Sequence, residues 1–229
     1  MKLLGLIGGV SPQSTAIYYR LLNDHARKRL GGAHSARILL YALDFGVMVR
    51  VYDEADWAGY EREVVGAGKA LAAAGAEALM ICSNTSHLAA DAVKAATGLP
   101  VVHIVDVLSK ALAARGSRRP LLLGTPAVMS GVYYLDALGE RYDGEALVPG
   151  ADDQQEIGRI IFEELSNGVV LDQSRDTLRA VIARHDCDGV ILGCTELSMI
   201  LSQDDLDLAV FDTTALHAEA GSAFAFEGV

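Results

Sequence analysis

Short runs of small and apolar residues alternate along the whole chain with longer segments whose apolar positions recur every three or four residues. The short runs lie at 3–7, 36–43, 78–81, 101–104, 121–123, 189–192 and 209–211. They are apolar without strict alternation, the pattern of strands buried on both faces. The longer segments, at 15–30, 57–74, 88–97, 107–114, 129–138, 154–165, 174–185 and 213–225, read as helices. Strand and helix in turn predict an α/β fold with parallel sheets.

The pattern also repeats. With a shift of one position, ALMICSNTS at 78–86 matches VILGCTELS at 190–198, setting Ser83 opposite Cys194, Asn84 opposite Thr195 and Thr85 opposite Glu196. Each stretch follows a helical segment and a short polar lead-in, AGAE in one half and HDCD in the other. The opening strand of each half ends in a matching pair, Gly8-Gly9 and Gly124-Thr125. This is the signature of a duplicated α/β unit. It predicts a first domain over 1–100 plus 208–229 and a second over 101–207. Hydroxyl and thiol groups recur at the same strand ends, which is where parallel sheets bind ligands.

Composition narrows the function. Apolar residues make up 51% of the 229 and can fill a sizeable core. A net charge of −11 argues against non-specific nucleic-acid or anionic-membrane binding, while one or two local cations could still hold a small anion. No apolar run is long enough to span a membrane, and MKLLGLIGG is broken by glycine too soon for a signal peptide, so a cytoplasmic setting is expected. Cys82, Cys187 and Cys194 form no CxxC pair, and the six histidines form no HxxxH, so neither a disulfide framework nor a metal site is expected. GxGxxG spacing is absent, so Asp44 after the second strand is not a ribose contact.

Two related domains facing each other would put Ser83 and Cys194 on opposite sides of one ligand. Inverting a stereocentre needs that arrangement, because a proton leaves one face of a carbon and another arrives on the opposite face. A thiol can be tuned for the task by helix N-termini and polar neighbours. Backbone N–H groups of the same loops can hold a carboxylate or enolate oxygen. Of the adjacent pair Cys82-Ser83, Ser83 should face the substrate and Cys82 the core, since side chains alternate along an extended segment.

GLIGGVSPQSTAIYYRLLN, RLGGAHSARILL, ICSNTSH, LLLGT, IIFEEL, ILGCTEL and FDTTALHAE occur in order over nearly the whole chain. Together they resemble the cofactor-independent aspartate/glutamate racemase family, in its branch of L-aspartate/glutamate-specific and broad-specificity amino-acid racemases. The resemblance implies two Rossmann-like domains related by pseudo-twofold symmetry, an active site in the interdomain cleft, and a homodimer. It implies a small amino-acid substrate and neither pyridoxal phosphate nor metal; neither loop carries a lysine for a Schiff base. It makes Cys194 one catalytic residue and Ser83 the other. Many relatives have cysteine where Ser83 stands, which implies unequal efficiency at the two faces.

The resemblance also implies that Asn84, Thr85, Thr125 and Thr195 hold the α-carboxylate. Arg50 lies nearest the position where aspartate racemases recognise a side-chain carboxylate. Ser11 is expected at the ligand, with Ser14 or Thr15 capping the helix that follows. Glu196 is expected to orient the substrate ammonium or a neighbouring loop, and His87 to support the first loop. Acid at Glu163-Glu164, where some aspartate-specific relatives carry lysine, widens the expected substrates to neutral side chains. Two other readings compete: a lyase like arylmalonate decarboxylase using Cys194 alone, and a non-catalytic amino-acid-binding protein.

Overall fold

The computed structural model describes residues 1–227, and the chain forms two compact units, Met1–His103 with the segment from His217 onward, and Ile104–Leu216. In chain order the first unit holds β1 (Leu4–Gly8), α1 (Pro12–Leu30), β2 (Ile38–Ala42), α2 (Phe45–Asp53), α3 (Trp57–Ala73), β3 (Ala78–Ile81), a 3-10 turn (Thr85–Ala89), α4 (Ala90–Thr97) and β4 (Val101–Val102). Its strands are all parallel, in the order β2-β1-β3-β4. Side chains alternate across this sheet as the pleat requires. Ile7, Leu79 and Ile81 pack on one face with Tyr60 and Val64, and Leu6, Met80 and Cys82 on the other with Tyr18 and Ala218.

The second unit contains α5 (Ile104–Arg115), β5 (Pro120–Leu123), α6 (Pro126–Met129), α7 (Val132–Gly139) and α8 (Ala151–Arg159). A π turn (Ile160–Glu164), α9 (Asp172–Ala183), β6 (Gly189–Leu192), a second 3-10 turn (Thr195–Met199) and β7 (Ala209–Asp212) follow. Its parallel sheet has the order β5-β6-β7. Leu121, Leu123, Val190, Leu192 and Cys194 share one face of it, Leu122, Ile191 and Phe211 the other. Helix α10 (Thr213–Phe226) then carries the chain back into the first unit. The chain changes units after His103 and Leu216, three and nine residues beyond the expected junctions at 100 and 207. The reason is strand pairing: β4 bonds to β3, and β7 to β6. Among the described residues no helix is long and apolar enough to cross a membrane.

Several elements depart from the periodicity. Helix α2 was not expected; FGVMVRVYD is rich in β-branched residues, which disfavour a helix. Its start is fixed by Asp44, whose side chain accepts from the Val47 N–H at 3.1 Å, so this carboxylate is a helix cap. The helix expected over 154–165 becomes α8 followed by the π turn, and that over 129–138 splits into α6 and α7. The strand expected over 101–104 stops at Val102 because Ile104 already begins α5.

The turn after β1 depends on Gly9. Its φ is +87°, and a Cβ there would lie 2.1 Å from the Leu43 carbonyl oxygen. No side chain fits that backbone-to-backbone approach. Gly9→Ala should destabilise the chain by more than about 1 kcal/mol, read as a lower urea midpoint at unchanged slope; an unchanged midpoint would refute this account of the turn.

Candidate active site

Each sheet delivers one reactive side chain in the same local way. The Cys82 N–H donates to the Ile7 carbonyl at 2.9 Å, and the Gly193 N–H donates to the Leu123 carbonyl at 2.6 Å. The residues just beyond these last ladder bonds are Ser83 and Cys194. Three positions on in each turn, a backbone N–H points back at the side chain. Ser86 donates to Ser83 Oγ at 3.3 Å, and the N–H groups of Glu196 and Leu197 face Cys194 Sγ. The matching alignment of the two halves therefore corresponds to matching turns.

In the first unit, Ser83 is 9% exposed, while Cys82 is 1% exposed in the core with Tyr18 and Met80. Burial pushes the Cys82 thiol far above its ordinary pKa, so it stays protonated and inert. His87 Nδ1–H donates to the Ser83 carbonyl at 2.7 Å. Its pKa is held well below the ordinary histidine value, first by burial and then by the neighbouring His217 and His103. Neutral His87 thus supports the loop, as expected. Asn84 is buried and Thr85 opens the 3-10 turn.

The loop after β1 meets the same turn. Ser14 Oγ donates to the Cys82 carbonyl at 2.7 Å, and Thr15 Oγ1 donates to the Ser11 carbonyl at 3.0 Å. The cap of α1 is Ser11 itself, whose Oγ accepts from the Ser14 N–H at 3.1 Å, a role the sequence had suggested for Ser14 or Thr15. Arg50 lies on the exposed face of α2 with no ion pair among the described residues. Tyr60, in the first turn of α3, was not singled out from sequence. Its hydroxyl lies 2.8 Å from Ser86 Oγ, and the Ser86 and Ser83 side chains both pull its pKa down against burial.

In the second unit, Cys194 is 7% exposed, and its Sγ donates to Glu196 Oε2 at 3.0 Å. The Thr195 hydroxyl donates to the same oxygen at 2.6 Å. Glu196 therefore turns its carboxylate onto the thiol and the adjoining hydroxyl. Burial is the largest cause of a Cys194 pKa well above the ordinary value; the Glu196 charge adds to it, and the Glu196 and Leu197 N–H groups oppose it. The resting group is a thiol hydrogen-bonded to a carboxylate. Thr125 occupies the N-cap position of α6, and its carbonyl accepts from the Val128 and Met129 N–H groups. Glu164 is buried on the π turn, where Arg159 Nη1 donates at 2.7 Å and Ser174 Oγ at 2.5 Å. Both its oxygens are taken within the fold.

The chain as a whole has counterparts in known proteins. The sequence profile of the Asp/Glu/hydantoin racemase family matches residues 7–221. A crystal structure from Yersinia pestis, solved as that of a candidate Asp/Glu racemase, is 40% identical with a TM-score of 0.90, covering 98% of this chain and 99% of that one. An aspartate racemase homologue from Pyrococcus horikoshii is 33% identical with a TM-score of 0.85, over 98% and 99% of the two chains. The broad-specificity amino-acid racemase of Bacillus subtilis is 21% identical over 95% of this chain and 96% of its own length. The chain belongs to the Asp/Glu/hydantoin racemase family, as an isomerase acting on amino acids.

Proposed function

We propose that the protein interconverts the L and D forms of an amino acid without a cofactor, with Cys194 and Ser83 serving opposite faces of the α-carbon. The observation that carries this is the buried Cys194–Glu196 pair at the end of β6, matched by Ser83 at the equivalent end of β3. Asn84, Thr85, Thr125 and Thr195 are the groups we assign to the α-carboxylate, with Ser11 beside them. The same kinship leads us to place the protein in the cytoplasm as a homodimer.

Proton bookkeeping follows from the bonds at Cys194. As Sγ takes the α-proton, the thiol's own proton passes along the 3.0 Å hydrogen bond to Glu196. The Cα–H bond breaks, an S–H bond forms, and the carboxylate ends neutral. The pair thus acts as a base without a free thiolate ever standing in the buried turn. Ser83 then delivers its hydroxyl proton to the other face. A hydroxyl is a far poorer base than a thiol, so removal of a proton at the Ser83 face is the slow half of the cycle.

Incubation in deuterium oxide separates the halves. One enantiomer should exchange its α-hydrogen faster than it inverts, the other should exchange slowly, and Cys194→Ala should lower the fast exchange by at least about a hundredfold. Absence of exchange in any amino acid, with carbon dioxide released from a substituted malonate, would overturn the racemase in favour of a lyase.

Glu196→Gln removes a charge that raises the Cys194 pKa. The thiolate absorbance of Cys194, taken as the difference from Cys194→Ser, should therefore appear at lower pH in this variant, while inversion slows. Arg50 is the cation we assign to acidic side chains. Arg50→Ala should raise KM for aspartate and glutamate about tenfold or more and leave neutral amino acids unchanged; an equal effect on both classes would remove Arg50 from recognition.

A further inference from the structure

Ser83 does not stand alone behind the substrate face. Tyr60 is 1% exposed and sits in the first turn of α3, which is held by Asp56 Oδ1 accepting from the Gly59 N–H at 2.8 Å. Its ring packs with Ile7, Val64 and Ile81 on the sheet face toward which the alternation of β3 turns Ser83. The phenol oxygen lies 2.8 Å from Ser86 Oγ, the Ser83 side chain is a second hydrogen-bonding influence on its titration, and Ser86 gives its backbone N–H to Ser83 Oγ at 3.3 Å. Tyr60, Ser86 and Ser83 therefore form a buried cluster in which Ser83 is the least buried member.

We propose that Tyr60 is the proton reservoir of Ser83: a positioning and relay residue that supplies the proton Ser83 delivers and holds the negative charge Ser83 cannot. The proposal rests on Ser83 acting at the substrate. As Ser83 Oγ–H gives its proton to the α-carbon, the Tyr60 proton moves to Ser83 Oγ. The C–H bond forms, Ser83 is restored, and the electron pair remains on the Tyr60 phenolate, which the Ser83 and Ser86 hydroxyls stabilise by hydrogen bonds. Solvent returns a proton to Tyr60 and removes the one left on Glu196 once product has gone. In the opposite sense the phenolate draws the Ser83 proton as Ser83 takes the α-proton.

The alternative is a serine alkoxide, a far more basic anion than a phenolate even in a buried site. Burial, the largest influence, pushes the Tyr60 pKa up to about 12; the Ser86 and Ser83 hydroxyls pull it down, and Tyr52 on α2 is the titratable group that adds to the rise. Tyr60 is thus fully protonated and ready to donate at neutral pH. Its phenolate is scarce there, so proton removal by Ser83 should accelerate as pH rises.

The test compares the intact protein with Tyr60→Phe, which keeps the packed ring and deletes the hydroxyl. In the wild type, α-hydrogen loss from the enantiomer served by Ser83 should rise about tenfold per pH unit from 7 to 9. In Tyr60→Phe that slope should vanish and inversion should fall at least about tenfold, while deuterium exchange through Cys194 stays within about twofold of wild type. Adding Ser83→Cys to Tyr60→Phe should restore inversion, because a thiol at that position needs no relay. A Tyr60→Phe protein that loses both exchanges equally, keeps the pH slope, or is not rescued by cysteine overturns the relay and leaves the racemase standing. A wild-type protein that exchanges neither enantiomer of any amino acid removes the racemase reading first.

Discussion

Strand register decides which of two adjacent residues, a thiol or a hydroxyl, enters the core behind β3 and which turns toward Tyr60. β3 pairs with β1 so that Ile81 lies opposite Ile7, and the Cys82 N–H then bonds the Ile7 carbonyl. With that bond made, alternation sends Cys82 to the face of Tyr18 and Ser83 to the face of Tyr60. A slip by one residue would exchange them. Both faces are apolar and buried, so a slip would also drive polar groups into the core, at a cost the fold does not tolerate. The second sheet repeats the device, with Leu192 opposite Leu123 and Cys194 just beyond.

The same burial makes each reactive group depend on one neighbour. In the proposed reaction, a proton leaving buried Cys194 or Ser83 goes to a side chain already in hydrogen-bonding contact. At Cys194 that side chain is Glu196, a strong acceptor. Around Ser83 stand the Ser86 N–H, which donates to its Oγ at 3.3 Å, and the Tyr60 phenol, itself 2.8 Å from Ser86 Oγ. The duplicated turns thus place equivalent atoms but provide unequal proton acceptors, and the asymmetry arises behind the reactive atoms as well as at them.

Much of this was legible in the sequence, because strand-end chemistry is local. The matched ALMICSNTS and VILGCTELS segments carried the equivalence of Ser83 and Cys194, and the period-2 argument assigned Cys82 to the core, where it lies. What the sequence concealed depends on tertiary approach. Tyr60 reaches Ser83 only because α3 packs across the sheet, and no spacing links positions 60 and 83. Glu196 read as a substrate contact because nothing local shows its carboxylate folding back on the thiol. The valines of α2 read as non-helical because tertiary packing of Met48 and Val51 outweighs propensity there.

The three thiols share one property. Burial is the leading cause of a raised pKa at Cys82, at Cys187 and at Cys194 alike. Electrophiles and peroxides attack thiolates, so the burial that disfavours ionisation also lowers the reactivity of all three sulfurs toward them. In the proposed reaction, a Cys194 that ionises only in step with Glu196 would keep its reactivity for the bound amino acid. Under the proposed chemistry, burial at Cys194 would serve a second end, shielding the thiol from oxidants and electrophiles.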